Sequence, residues 1–326
     1  MSDRFGVVLI GRNEGDRLRS SLESVMKLTK RVVYADSAST DSSVALARSM
    51  GAVVVELDDR QPLNAARGRN AGFAALREHF PECRFVQFLD GDCRLVDDWP
   101  TAAIAFLDQH EKVAVVCGRR FETRPEASFY NRIADEEWNT PVGEAEACGG
   151  DAMVRADAFE QIGGFNPSLM ASEEPEMTAR LRERGWQIWR LDADMSEHDA
   201  ATFSFGQWWR RTVRSGYGYA QAWGATRHMP RPVNDARLKS ALAWVVAAPL
   251  TIIVLAAVLR SPAILLLVPA VYSLQILRIA LRRGPLTAHR LRASMMIMIA
   301  KVAELVGATR LFLERRPRHS IEYKLP

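Results

Sequence analysis

Apolar residues gather in short runs along the first 120 positions, GVVLI, RVVYA, VVVEL, FVQFL and VAVVC, each rich in β-branched side chains and bounded by polar residues. Runs this short and this apolar predict strands buried on both faces. Between them the period changes. Asp16 to Leu28 places Leu18, Leu22 and Val25 at helical spacing, and Thr40 or Asp41 is suited to cap a helix over Ser42 to Met50 that Gly51 ends, because a short polar side chain satisfies free amides at a helix start and glycine tolerates the left-handed exit. Strands that alternate with helices over about 200 residues predict an α/β fold built on a mostly parallel sheet with flanking helices. No internal repeat or low-complexity segment interrupts it.

The last third follows a different pattern. Ala241 to Leu259 and Ala263 to Leu281 are nearly free of charge, and each is about long enough as a helix to cross the ~30 Å hydrocarbon core of a bilayer. Only Arg260-Ser261-Pro262 separates them, so they predict a transmembrane hairpin of two helices. Leu291 to Leu313 is also apolar but carries Lys301, Glu304 and Arg310, the composition of an amphipathic helix lying in the membrane interface. The predicted organisation is a catalytic-type α/β domain over 1–225, a basic juxtamembrane linker over 226–240, the hairpin over 241–281 and a basic interfacial segment over 282–326.

Charge sharpens this division. From Leu238 onward lie 13 of the 43 Lys/Arg and only 3 of the 39 Asp/Glu, so an acidic body precedes a basic tail. Attraction to anionic lipid explains such a tail beside membrane spans, and no nucleic-acid partner is needed. Arg231, Arg237 and Lys239 before the hairpin and Arg278, Arg282, Arg283, Arg290 and Arg292 after it place both ends in the cytoplasm by the positive-inside rule. The expected location is the inner membrane, multi-pass, with the catalytic domain cytoplasmic. Cys83, Cys93, Cys117 and Cys148 form no C-x-x-C pair, which argues against zinc or disulfides, and no secretory signal opens the chain.

In an open α/β sheet, ligands bind beyond the carboxyl ends of the strands. There the chain places Gly11-Arg12-Asn13-Glu14, then Asp36 to Asp41, then Asp90-Gly91-Asp92. Asp-Gly is a turn signal in its own right, but three acidic strand ends together suit Mg²⁺ or Mn²⁺, hard cations that take carboxylate and phosphate oxygens. The absence of G-x-G-x-x-G after the first strand argues against a dinucleotide oxidoreductase.

VVLIGRNEG, DSASTDSS, ARGRNAG, FLDGD, GGDAMVRADAFEQIGGF and SEEPEMTARLRERGW, taken in that order over about the first 220 residues, resemble the successive motifs of family 2 glycosyltransferases. The resemblance implies a GT-A fold, a nucleotide-sugar donor with UDP as the expected carrier, Mg²⁺ or Mn²⁺, and transfer with inversion. It implies that Asp36 contacts the nucleotide base with Asn13 and Glu14 beside it, and that Asp90 and Asp92 form the D-x-D, Asp92 being the more direct metal contact. Arg67 and Arg69 fall in the family's basic segment, where they either contact phosphate or solvate a helix face. Arg12 stands where many relatives have tyrosine, which removes a stacking partner for the base.

By the same resemblance the catalytic carboxylates are the pair Glu173-Glu174, with Glu174 as general base and Glu173 setting the local field, and Arg180 orients the pair. Ser172 is suited to cap that helix, Pro175 is tolerated in its first turn, and acidic side chains there favour the positive end of the helix dipole, so a purely structural role for the pair is the competing reading. His198 is implied on the metal or diphosphate, and Arg211 and Arg214 on the diphosphate; FGQWWRRTVRSGYGYA also fits a helix resting on lipid, with tryptophans at headgroup level. A hairpin beside a transferase domain points to a lipid-linked or polysaccharide-precursor acceptor. The competing classes are a membrane-anchored scaffold derived from a transferase, which would be expected to have lost Asp92 or Glu174, and a nucleotidyltransferase, which would not need SEEPE. Two spans are too few for the translocation channel of a processive synthase.

Overall fold

The computed structural model describes residues 4–313, and the chain divides into two compact units, the first ending at Phe203 and the second beginning at Ser204. The first unit runs β1 (Phe5–Gly11), α1 (Asp16–Met26), β2 (Val32–Asp36), α2 (Ser43–Ser49), β3 (Val53–Glu56), α3 (Ala65–His79), β4 (Phe85–Asp90), β5 (Cys93–Leu95), α4 (Trp99–Gln109), β6 (Val113–Glu122), α5 (Phe129–Trp138), β7 (Gly143–Glu144), β8 (Ala152–Arg155), α6 (Ala156–Gln161), α7 (Glu173–Glu183) and β9 (Gln187–His198). The sheet order is β3-β2-β1-β4-β8-β6-β9-β5, with β7 paired to β9.

The expected parallel sheet holds for β3, β2, β1 and β4. β1, β2 and β4 are buried nearly end to end, as strands covered by helices on both faces must be. Beyond β4 the sheet is mixed. β8 inserts between β4 and β6, antiparallel to both, and β5 pairs antiparallel with β9. The run VAVVC is thus a strand, as its pattern predicts, but not the next parallel neighbour, because the four-residue β8 takes that place. The chain moves outward from β1 to β2 and β3 and returns to β4 on the other side, which opens a crevice between β1 and β4 where strand order reverses. Loops at that crevice touch: the Gly91 amide donates to the Ile10 carbonyl at 2.7 Å and the Ser37 amide to the Gly11 carbonyl at 2.9 Å.

The second unit holds α8 (Phe205–Thr226), α9 (Asp235–Leu242), α10 (Ala248–Val258), α11 (Leu267–Arg282) and α12 (Ala288–Leu313). Its boundary falls before α8, so the basic aromatic helix clusters with α12 in this unit. α9 and α10 run together through a π turn at Ala243–Ala247, giving one apolar helix over Asp235–Val258 of 24 residues; the second, Pro262–Arg282, has 21, and both are long and apolar enough to cross a membrane. Leu250, Ile253, Val258, Leu266 and Leu274 on them are exposed, the kind of apolar surface that marks a membrane or protein contact. α12 packs on α8 so closely that a Cβ at Gly307 would lie 2.0 Å from the Val213 carbonyl oxygen. Two of the charges that interrupt its apolar run are partnered, Lys301 with Ser240 at 2.7 Å and Glu304 with Arg237 at 3.8 Å, and Arg310 is exposed. The part of the expected interfacial segment beyond residue 313 lies outside the described residues.

Candidate active site

The first two strand ends are tied to each other. Asn13 adopts φ +55°; its amide donates to Ser39 Oγ at 2.9 Å and its Oδ1 accepts the Thr40 amide at 2.7 Å. Asp36 is 1% exposed. Its oxygens accept the Tyr34 hydroxyl at 3.0 Å, the Ser39 amide at 2.7 Å and the Ser39 hydroxyl at 2.5 Å, so this carboxylate shapes the loop from inside. Burial and the Asp36 charge push the Tyr34 phenol well up, which keeps it a donor. Glu14 is buried and pairs with Arg17 at 3.3 Å. Arg67 is half-buried and donates to the Pro62 carbonyl at 2.6 Å and the Asp58 carbonyl at 3.4 Å, pinning the loop before α3.

The D-x-D divides its labour. Asp90 ends β4 and is held by two arginines, with Oδ1 accepting from Arg69 Nη2 at 2.9 Å and Oδ2 3.5 Å from Arg120 Nη2. Its amide donates to Asp151 Oδ1 at 3.1 Å. Asp92 lies in the turn before β5, and the pairing of Cys93 with His198 across β5 and β9 brings Asp92 Oδ1 to 3.5 Å from His198 Nε2. The other ring nitrogen of His198 is buried without a hydrogen-bond partner, and Trp138 packs edge-on against the ring at 5.0 Å. Asp92 Oδ1 and His198 Nε2 lie close enough to bind one cation, and a carboxylate with an imidazole is a donor set that Mn²⁺ or Mg²⁺ accepts. Cys93 and Asp151 lie close by. Cys93 is the softer donor of the group, whereas Mg²⁺ and Mn²⁺ favour oxygen ligands, and burial pushes its thiol well above its ordinary range.

The third component is the start of α7. Ser172 does not cap it. Ser172 takes a left-handed conformation at φ 64° with no side-chain cap bond, and the turn instead presents Glu173 and Glu174 inward. Nor does Arg180 orient the pair. It binds Glu176 at 2.9 and 2.8 Å and the carbonyls of Ile162 and Gly164 at 2.7 Å each, bolting α7 to the preceding Gly163-Gly164 turn. Arg69 reaches the pair: Nη1 lies 2.6 Å from Glu173 Oε1 and 3.5 Å from Glu174 Oε1. Burial, and after it the neighbouring Glu173 charge, push Glu174 up to about 8, with Arg69 opposing. A helix start alone would act in the opposite direction, so burial and like charge win here.

Sequence reasoning missed Arg120, Asp151 and Ser196. Asp151 is 1% exposed, accepts from Ser196 Oγ at 2.7 Å and lies 3.6 Å from Arg120 Nε, while Arg120 stacks 4.9 Å over the Trp138 ring. The available signal was Asp151 following two glycines at the head of GGDAMVR. Arg211 and Arg214 lie on α8 in the second unit.

Residues 7–163 match the sequence model of the family described as Glycosyl transferase family 2. The chain is 24% identical over 239 residues to the succinoglycan biosynthesis protein ExoA of Rhizobium meliloti (strain 1021), covering 69% of this chain and 71% of that protein. Among solved structures it is similar to the mannosyltransferase PcManGT from Pyrobaculum calidifontis in complex with GDP-Man and Mn²⁺, at 15% identity and a TM-score of 0.60, over 96% of this chain and 88% of that one. The likeness bears out the GT-A architecture.

Proposed function

We infer that this chain, a glycosyltransferase of family 2 that takes a nucleotide-sugar donor, transfers the sugar with inversion to a lipid-linked or polysaccharide-precursor acceptor at the cytoplasmic face of the inner membrane. The observation that carries this reading is the presence, within one unit, of the Asp92–His198 pair and of Asp90, two residues before Asp92, which the buried Arg69 ties to Glu173 and Glu174. Glu174 takes the proton of the attacking acceptor hydroxyl as its oxygen bonds to the anomeric carbon and the bond from that carbon to the diphosphate breaks. A base is most useful when its proton affinity is near the operating pH, and burial beside Glu173 raises Glu174 in that direction. Asp92 and His198 would hold the divalent cation, which when bound offsets the negative charge developing on the leaving nucleoside diphosphate. Asp90, fixed between Arg69 and Arg120, holds the strand end in place. Asn13 and Asp36 tie the two loops that receive the nucleotide.

The membrane side of the proposal rests on the two apolar helices and the cationic residues at their ends, with Arg211 and Arg214 of α8 offering positive charge to phosphate. The name of the R. meliloti relative favours exopolysaccharide assembly as the setting. UDP is the proposed nucleotide; the GDP-Man in the P. calidifontis structure makes GDP-sugars the necessary comparison. The test offers the full chain UDP-glucose, UDP-N-acetylglucosamine and GDP-mannose with polyprenyl phosphate vesicles and Mn²⁺, and reads the anomeric configuration of the product by NMR. An inverted, Mn²⁺-dependent product supports the reading. A product that retains the donor's configuration overturns the mechanism.

A further inference from the structure

Arg69 enters from α3 between the strand end that carries Asp90 and the helix start that carries the glutamates, and its side chain is 3% exposed. One guanidinium nitrogen serves Asp90 at 2.9 Å and the other serves Glu173 at 2.6 Å, with Glu174 at 3.5 Å, while the group lies 5.5 Å over the Phe165 ring. Gly150 makes room for it, since a Cβ there would fall 2.3 Å from Arg69 Nη2 and 3.1 Å from Glu174 Oε1. Three carboxylates therefore meet here, and Arg120, on the far oxygen of Asp90, is the second cation at the cluster. Asp151, 3.6 Å from Arg120, also accepts the Asp90 amide and the Ser196 hydroxyl, so among the three carboxylates around Arg69 distance decides which is held least. Charge-assisted bonds are strong at 2.6–2.9 Å, and a contact at 3.5 Å is little more than Coulombic. Arg69 holds Glu173 and Asp90 by close bonds, and Glu174, at 3.5 Å, is the carboxylate it leaves to act as the base.

We propose that Arg69 is a positioning residue that designates Glu174 as the base, by clamping Glu173 and tying the first turn of α7 to the end of β4. This rests on the reading of Glu174 as general base and adds what selects it. The guanidinium spans both sides of the site as a fork, so charge alone does not replace it.

Two variants of the full chain test this. Arg69→Lys keeps the charge, but an ammonium cannot bridge two carboxylates in a fixed fork, and Gly150→Ala displaces the fork without removing any charge. With polyprenyl phosphate vesicles, Mn²⁺ and the fastest donor of UDP-glucose, UDP-N-acetylglucosamine and GDP-mannose, kcat should fall about 10–100-fold in each variant, as misplacement by about an ångström does. Donor KM should change less than about threefold, and in a Glu174→Gln background Arg69→Lys should cost less than about threefold more, because residues acting as one unit are not additive. A rise in donor KM with kcat retained would assign Arg69 to donor phosphate and overturn the proposal. A full additional loss in the Glu174→Gln background would also overturn it, since Arg69 would then act independently of Glu174. Parental transfer by Glu174→Gln alone is a separate outcome: it removes the base itself, and this proposal with it.

Discussion

Replacing Glu174 with Gln should make the protein more stable at alkaline pH, and the size of the effect follows from the site. The folded carboxyl is raised to about 8 from an ordinary 4.5 by burial and by Glu173, so folding takes up a proton between those values. Stability from this group is therefore fully present below about 4.5 and is lost as pH rises through about 8. The full separation corresponds to roughly 5 kcal/mol at about 1.4 kcal/mol per pH unit. Glu174 is 18% exposed and shares its field with Arg69, so about 2–4 kcal/mol is the fair expectation. Glutamine has nearly the shape of the protonated acid and carries no charge, so the variant lacks this penalty. For a unit of about 200 residues, that predicts a Tm about 5–15 °C above the parent at pH 9, with the difference falling below about half of that at pH 5 and vanishing only near pH 4, under the unfolded value. Intrinsic tryptophan fluorescence melts of the full chain in detergent, taken from pH 5 to 9.5, measure it. Parallel pH curves for the two proteins would refute the reasoning, and so would a variant less stable than the parent at pH 9.

Asp92→Asn and His198→Ala should each weaken Mn²⁺-dependent protection by UDP or GDP at least about tenfold while leaving metal-free nucleotide affinity unchanged; equal protection at saturating Mn²⁺ would remove the metal assignment. Arg180→Ala strips the partner from the buried Glu176 and two carbonyls, and should destabilise the first unit by about 2–4 kcal/mol in a denaturant titration without changing donor affinity in the folded protein. Gly307→Ala forces a Cβ against the Val213 carbonyl, and should lower the melting temperature of the α8–α12 pair by an amount equivalent to about 1–3 kcal/mol; an unchanged melt would show that the two helices separate easily.

The legible parts of this fold are those in which a local pattern carried the whole signal. β1, β2 and β4 are apolar end to end because helices cover both of their faces, and the two long apolar helices stand out by length and composition alone. β8, by contrast, is only four residues long, too short for a period to register, so the antiparallel half of the sheet stayed hidden. In the site, the strand-end position of Asp92 and the helix-start position of Glu174 were readable. The role of Arg69 was not. A buried arginine on a helix gives the same local pattern as a solvated one, and its partners lie 21 and 104 positions away. Ser172 misleads in the opposite way: serine before an acidic turn reads as a cap, yet the backbone there turns left-handed and the side chain caps nothing.

The account stands or falls on which carboxylate takes the proton. Single-turnover transfer from a pre-bound nucleotide sugar to polyprenyl phosphate, compared among the parent, Glu173→Gln and Glu174→Gln, with donor affinity measured on each, addresses this directly. Loss of a general base costs about 10²–10⁴ in rate, so Glu174→Gln should bind donor as the parent does and transfer sugar that much more slowly, with Glu173→Gln losing less. Near-parental transfer by Glu174→Gln would contradict the assignment, and near-parental transfer by both variants would reduce the start of α7 to a structural element with no part in the chemistry.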